Sequence, residues 1–439
     1  MTQTGNLTTG KVPAVLLRFF FPMLLTNLLQ QIYTFADTVI VGKGLGDDAL
    51  AAVGNMSVLI LLVIGFLQGI ANGFSVIIAQ CCGSENHTAL RQSVAASIKL
   101  SAFLAALLTV LSITTLKTAL LALRTSEQIL HDSLLYGCII FGGIIITMSY
   151  NLCSCILRAL GDSKTPFLAI VVSSTLNILL DSLFIFVLHT GVEGAAIATV
   201  FSQAVSTLIC ILRIHRSESL SLTSDDFKGS LRLSPVLLKN GIPMAFMNSV
   251  TAAGCIIAQS YVNTLGVEYT SAYSVCNRYI NLFMLPSLTA GFAVSTFTSQ
   301  NFGARKYLRI RECVRTGLII GLFSYALCGT AMICLPEALA GLMLNGPQSI
   351  ALASEFLRIC GSMLFTLNAL FIFRSALQGM GKPMIPMCSG ILEMVLRVLI
   401  IVLLLPRIAF QAAAYAEIAA WTGALALNLA AYIIIVRRI

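Results

Sequence analysis

The sequence predicts an all-α integral membrane protein of about twelve transmembrane helices, in two six-helix bundles related by a parallel internal repeat. Composition is the first of three observations behind that expectation. Of the residues, 57% are hydrophobic and only 10% charged, whereas soluble domains carry about 25% charged residues. Second, the apolar residues fall into runs long enough to cross a bilayer, which takes about 20 residues. Strands of that length would leave unpaired edges in lipid, so the runs are helices. Third, the chain resembles itself at a spacing near 220 residues: Phe21-Pro22-Met23 recurs as Ile242-Pro243-Met244, and Leu45-Gly46 as Leu265-Gly266. Gln80 and Gly83 recur as Gln300 and Gly303, and Leu157 to Gly161 before Pro166 as Leu377 to Gly381 before Pro386.

In chain order the expected spans are 13–41, 49–79, 93–116, 135–157, 166–188, 194–213, 241–265, 270–298, 316–335, 350–373, 384–405 and 411–435. Connections are short except for 214–239, which is polar and mixed in charge. It reads as a cytoplasmic linker between an N-terminal lobe, 1–213, and a C-terminal lobe, 240–439. An even number of spans per half lets both halves cross the membrane in the same sense, related by an axis along its normal. Lys11, Arg18, Arg91, Arg158, Lys164, Arg213 and Arg374 fall with most other basic residues on one side. The opposite side holds Lys43, Lys117, Arg124, Arg358 and Arg407. By the positive-inside rule both termini are cytoplasmic; the expected location is the cell inner membrane. The net charge of +9 therefore orients the chain, and no nucleic-acid partner is expected. The thirteen cysteines lack metal-ligand spacing and lie mostly in apolar helices, where they act as small packing residues.

The stretch from Pro22 to Gly46 carries polar residues that a lipid-facing helix would not hold. Asn27, Gln30, Gln31, Thr34, Asp37 and Thr38 recur at helical spacing, so most share one face. An ionised Asp inside the membrane costs about 2.5–3.5 kcal/mol on insertion scales, and such residues face an interior or a watery path. Span five repeats the pattern with Ser173, Asn177 and Asp181, four residues apart. Asp181 lies at the same depth as Asp37, and Thr199 in span six reaches that depth. Two carboxylates among amide and hydroxyl oxygens can hold a proton or the hard cation Na⁺. Interhelical hydrogen bonding, worth about 0.6 kcal/mol per contact, explains the Ser and Thr residues better than it explains the two acids.

Nearer the cytoplasm, Asn151 in span four and Gln68 in span two sit in further polar stripes. With Gln31 and Thr34 they are candidates to line a substrate cavity. The second half differs in kind: Ala258 and Ile401 stand where the repeat would place the two acids. Its membrane charges are Arg278, Glu393, Arg397 and Glu417, read as a neutralised buried network in which Glu393 and Arg397 pair at i, i+4. Met244, Met247 and Met284 are candidate lining residues, because flexible, polarizable methionine accepts many ligand shapes.

Together these features resemble the multidrug and toxic compound extrusion (MATE) family of secondary transporters. The resemblance rests on Pro22, Gln30-Gln31, Asp37-Thr38 and Val41-Gly42, followed by Leu50-Ala51-Ala52-Val53-Gly54. It continues through Leu157-Arg158-Ala159-Leu160-Gly161-Asp162-Ser163-Lys164-Thr165-Pro166, then Asn177 with Asp181, then Gly194-Ala195-Ala196-Ile197-Ala198-Thr199. It covers nearly the whole chain. The resemblance implies a multidrug efflux antiporter, not an enzyme, that exports organic cations in exchange for H⁺ or Na⁺ by alternating access. It places the coupling-cation site on Asp37, Asn177, Asp181 and Thr199. No cofactor beyond the coupling ion is implied, and no metal beyond a transported Na⁺ at Asp37 and Asp181. The implied partners are small-molecule drugs and the lipid bilayer, with the chain a monomer. Span seven holds no acid and span ten only Glu355 near its start, which points to a DinF-like or MepA-like branch. The alternative is a flippase or exporter of lipid-linked saccharides from the same superfamily, whose cavity would be cationic. An intramembrane aspartyl protease would need a Gly-x-Gly-Asp motif, but Ile178-Leu179-Leu180 precedes Asp181.

Overall fold

A computed structural model describes residues 6–123, 125–217 and 220–438 of the chain, so the expected outer-side Arg124 lies outside the described residues. Among the described residues the regular structure is entirely helical. The first half holds α1 (Val12–Leu45), α2 (Asp47–Gly83), α3 (His87–Ala122), α4 (Glu127–Gly142), α5 (Ile144–Ala159), α6 (Lys164–Ser182) and α7 (Val192–His215). Short α8 (Ser224–Gly229) lies in the linker, followed by α9 (Ser234–Asn263), α10 (Val267–Gly303), α11 (Tyr307–Ser324), α12 (Thr330–Cys334) and α13 (Pro336–Gly341). The chain ends with α14 (Pro347–Ser362), α15 (Leu364–Gly379), α16 (Met384–Ile408) and α17 (Gln411–Arg437).

Among the described residues ten helical segments are long and apolar enough to cross a membrane, and two bent pairs bring the number to twelve. The expected spans 135–157 and 350–373 are those bent pairs: α4 meets α5 at 45° and α14 meets α15 at 49°. The breaks fall at Gly142-Gly143 and just after Gly361-Ser362, where small residues let the helical hydrogen-bond ladder open. An apolar run stays apolar through such a break, so hydropathy does not register it.

The repeat extends to backbone conformation. Gly46 and Gly266 both take left-handed φ values, 87° and 121°, as do Gly161 and Gly381 at 85° and 71°. Glu85 and Arg305, at φ 57° and 58°, close α2 and α10 in the same way. A positive φ at a helix end strains any residue with a Cβ, so the glycines recur because the turns recur.

The chain forms two compact units: one comprises Phe21–Ala245, the other Leu7–Phe20 with Phe246–Ile439. In the first unit, Gly69 and Gly73 of α2 meet Ala245 and Gly241 of α9 so closely that a Cβ on either glycine would overlap the facing backbone. Small residues four apart on both helices allow that approach, and in lipid close packing is what holds helices together. The linker docks on α3 of this unit. Arg91 Nε pairs with Asp226 at 3.3 Å and Lys99 Nζ donates to the Phe227 carbonyl at 2.6 Å. Thr223 donates to Asp226 from its backbone and hydroxyl in a capping box, which with Arg91 holds the carboxyl below its ordinary pKa.

The second unit anchors an N-terminal segment in a related manner. Arg309 donates to the carbonyls of Gly10, Thr9 and Leu7 at 2.7, 3.1 and 3.2 Å, and Lys306 Nζ to Thr8 O at 3.0 Å. Gln300 Oε1 accepts from the Leu7 N–H at 3.1 Å. Tyr273, Phe356 and Phe410 pack edge-on and tilted in the core, with Tyr273 and Phe356 centroids 5.6 Å apart.

The charge network of the second unit corrects the expected membership. Arg278 is exposed on α10 and takes no part. Its place is taken by Arg374, expected in a cytoplasmic loop but buried on α15, because the helix runs on past residue 373 to Gly379. Glu393 bridges Arg374 at 2.6 Å and Arg397 at 3.2 Å. Arg397 in turn makes a two-pronged contact with Glu417, both bonds 2.9 Å. Two cations and two anions cancel, and each side chain is at most 8% exposed. Removing one partner of such a network strands a buried charge at a cost of about 3–5 kcal/mol. Glu393→Gln is therefore expected to lower the melting temperature of the purified protein sharply, because Arg374 has no second carboxylate. An unchanged melting curve would show that water reaches Arg374.

Candidate functional site

Asp37 and Asp181 meet inside the first unit. Asp37 is half-buried on α1, and Asp181 is fully buried near the end of α6. A glycine marks a close approach of α1 to the chain just beyond Asp181. A Cβ at Gly44, two turns beyond Asp37, would overlap Ile185 Cγ2 and come to 3.0 Å from the Phe186 ring. Ile185 and Phe186 belong to a π-helical turn, Leu183–Val187, that begins two residues after Asp181. Such turns widen a helix locally and often accompany functional sites.

The carboxyl groups of Asp37 and Asp181 lie within hydrogen-bond reach of each other. Both oxygens of Asp181 and Oδ1 of Asp37 are buried, and no N–H or O–H of the described residues donates to them. Two carboxylates offer acceptors on both sides and no donor, so the contact becomes a bond only when a proton or a cation sits between them. One turn from Asp181, Asn177 is also buried, with both amide atoms unpaired among the described residues. Buried polar groups without partners are rare and call for a ligand, a water or a functional role. Among the described residues no three His, Cys, Asp or Glu side chains gather as metal ligands. The donors are all oxygen apart from an amide nitrogen, which suits a proton or a hard cation better than a transition metal.

Two further groups join the pair. Tyr136, buried on α4, lies within electrostatic range of both carboxylates, and Tyr33 on α1 within range of Asp37. Tyr33 is four residues before Asp37 and shares its face, a signal the sequence carried; Tyr136 sits at the start of an apolar run that gave none. Thr199 is half-buried on α7, which packs along α6, but no hydrogen bond joins it to either aspartate.

The remaining candidates are dispersed. Gln31 and Thr34 are exposed on α1, the Thr34 hydroxyl donating to Gln30 O at 2.8 Å. Gln68 is exposed on α2, and Asn151 donates to Thr147 O at 2.9 Å. Thr147 also donates to Gln203 Oε1 at 2.6 Å, a partner not evident from the sequence. Met244 is buried in the first unit; in the second, Met247 is buried with its sulfur accepting from Gln378, and Met284 packs half-buried on the core. A cavity of about 500 Å³ in the first unit is lined mainly by apolar residues such as Val94, Met148, Leu152 and Ile211, and includes neither aspartate.

The MatE family model matches residues 22–183 and again 243–403, the same two-fold repeat seen in the backbone. A probable multidrug resistance protein, YoeA of Bacillus subtilis (strain 168), is 30% identical over 78% of this chain and 75% of its own length. An FAD transporter of Shewanella oneidensis is 24% identical over 91% of this chain and 89% of its own. A crystal structure of MATE in the bent conformation superposes with a TM-score of 0.93 at 21% identity, covering 100% of this chain and 98% of that one.

If Gly44 sets the approach of α1 to the π turn, a methyl group there overpacks the contact. Gly44→Ala should cost about 1–3 kcal/mol, seen as a lower melting temperature. Ile185→Ala in the same chain should recover most of it. Loss that Ile185→Ala does not relieve would place the constraint elsewhere.

Proposed function

This chain belongs to the MatE family of membrane transporters, and from that premise we propose that it is a multidrug efflux antiporter of the cell inner membrane, with both termini cytoplasmic. In this reading it exports organic cations and couples their exit to entry of H⁺ or Na⁺ at Asp37 and Asp181. The observation that carries the proposal is the buried pair of carboxylates without a donor between them.

The physics of the pair supports exchange rather than leak. Two ionised carboxylates in low dielectric repel each other and have lost their water, so crossing the membrane with the pair empty is the costliest route. A coupling ion relieves that cost on the inward stroke. A cationic substrate, held nearby or in its place, relieves it on the outward one. Protons shared by such a pair come on and off as a coupled unit, with no fixed owner. Asn177 supplies a neutral oxygen that a hard cation can use, and Thr199 is the fourth member proposed for the site. The flippase alternative fits less well, because the buried membrane charges around this site are acidic.

Asp37→Asn and Asp181→Asn keep side-chain volume and remove the titratable charge. Each is expected to reduce coupled export in proteoliposomes at least about tenfold, equivalent to 1.4 kcal/mol, with unchanged insertion. Imposing pH and Na⁺ gradients separately identifies the ion; wild-type rates in both variants would remove the pair from the mechanism.

Stoichiometry follows from having two carboxylates. If both cycle, two monovalent cations enter for each monovalent drug and the membrane potential contributes about 2.3 kcal/mol per 100 mV, a gradient of about 50-fold. Voltage clamped with K⁺ and valinomycin, at equal pH and Na⁺ on both sides, should then accumulate a monocationic dye. No accumulation would mean that one net charge exchanges per cycle.

A further inference from the structure

The cavity of about 500 Å³ in the first unit is a groove. Its floor is α5, and its walls are α3 and α7, which both pack along α5 and leave a gap between them. Linker residues Leu220 to Leu222, a few positions after His215 at the end of α7, border one end. The lining runs from Val94 to Ala105 on α3 and from Ile145 to Ile156 on α5, about 16 Å along each axis at 1.5 Å per residue. At its deepest the groove is apolar: Val94, Ala105, Met148, Leu152 and Ile156 are all buried. Its rim residues Ile98, Ala102, Ile145 and Ile211 are exposed. So are their neighbours Phe103 and Leu107 on α3 and Leu208 and Leu212 on α7. The groove therefore opens onto an apolar surface, where hydrocarbon fills it more favourably than water.

The linker end is the polar one. His215 and Ser221 line it, and Arg216, next to His215, is exposed. Lys99, next to Ile98 of the rim, reaches the linker itself, its Nζ donating to the Phe227 carbonyl. Arg213 is already paired with Asp162 at 3.2 Å, but among the described residues neither Lys99 nor Arg216 has a carboxylate partner. The repeat offers an internal comparison. Cys153, which lines the groove, corresponds to Phe373 at the offset that relates Leu157 to Leu377. Phe373 packs on Tyr432 of α17 with ring centroids 5.2 Å apart, both side chains buried. Arg311 Nη2 donates to the Val436 carbonyl at 2.8 Å and ties α11 to α17. The cavity beside Arg311 and Val436 holds about 10 Å³. The second unit has filled with aromatic rings the space that the first leaves open.

We propose that the groove binds one acyl chain of an anionic phospholipid, whose phosphate meets Lys99 and Arg216 at the linker end, with Ser221 as a further hydrogen-bonding group. The length suits such a chain: about 16 Å is close to half of a hydrocarbon core about 30 Å thick, the share of one leaflet. The apolar rim admits the chain sideways from the bilayer, and the unpaired cations favour a headgroup of net negative charge. The same cations disfavour an organic cation as the occupant. A lipid seated here touches α3, α5, α7 and the linker together, and so acts as a structural ligand rather than as cargo. Neither aspartate of the coupling pair lines the groove, so the inference stands apart from the transport reading.

The probes are phosphatidylglycerol and phosphatidylcholine with the same palmitoyl and oleoyl chains. Each is titrated onto the delipidated full-length chain in detergent, and bound lipids are counted by native mass spectrometry. The native chain should hold one phosphatidylglycerol about tenfold more tightly than phosphatidylcholine, as two unpaired cations allow. Cys153→Phe copies the filling of the second unit and should weaken phosphatidylglycerol about tenfold. Ala102→Phe narrows the exposed rim without entering the core and should do the same, with melting curves confirming that both variants fold. Lys99→Gln together with Arg216→Gln should bring the two lipids to equal affinity while leaving phosphatidylcholine binding unchanged. Equal affinities in the native chain, or a preference that survives the charge change, overturns the proposal. So does native phosphatidylglycerol affinity in both Cys153→Phe and Ala102→Phe.

Discussion

An ionised side chain in hydrocarbon has no water to solvate it, and the internal arrangement of each unit answers to that constraint. The charged side chains meet it differently in the two units. The second unit cancels charge against charge, in the sequence Arg374, Glu393, Arg397 and Glu417. The first unit brings two aspartates together with no donor between their carboxyl groups. Arg278, on α10, is left exposed. The first arrangement is neutral within itself, and the pair of aspartates is not.

The duplicated backbone is what allows the units to differ so sharply. Left-handed glycines, the closing turns of the second helix of each half and the bends of 45° and 49° recur at matching positions. Those features depend on a few small residues and leave the rest of each helix free to change. At the depth where α1 and α6 carry aspartates, the second half has Ala258 and Ile401, both buried in its core. The halves share a scaffold and differ in side chains: one carries the aspartate pair, the other a buried salt network.

The candidate site was legible where its residues share a helix. Asp37 with Tyr33, and Asp181 with Asn177, are four apart, and helical periodicity alone puts each pair on one face. Which faces meet was not legible. Tyr136 comes from a different helix whose apolar run gives no hint of it, and the contact of Gly44 with Ile185 depends on a π turn that no periodicity announces. Arg374 was misplaced because the expected span stopped at residue 373, whereas α15 runs on to Gly379 and carries the arginine to a buried partner.

The sequence by itself determined the fold class, the number of spans, the two-fold repeat and the presence of two membrane carboxylates. These are properties of composition and spacing along one chain, and the bilayer permits few solutions for long apolar runs. Tertiary structure decided which charges are neutralised and which are left open. Arg278 and Arg374 are alike as letters in apolar segments, yet one is exposed and unpaired while the other is buried against Glu393. The reason is that the cost of a charge depends on what lies within a few ångströms of it, and for charges on different helices only packing sets that distance.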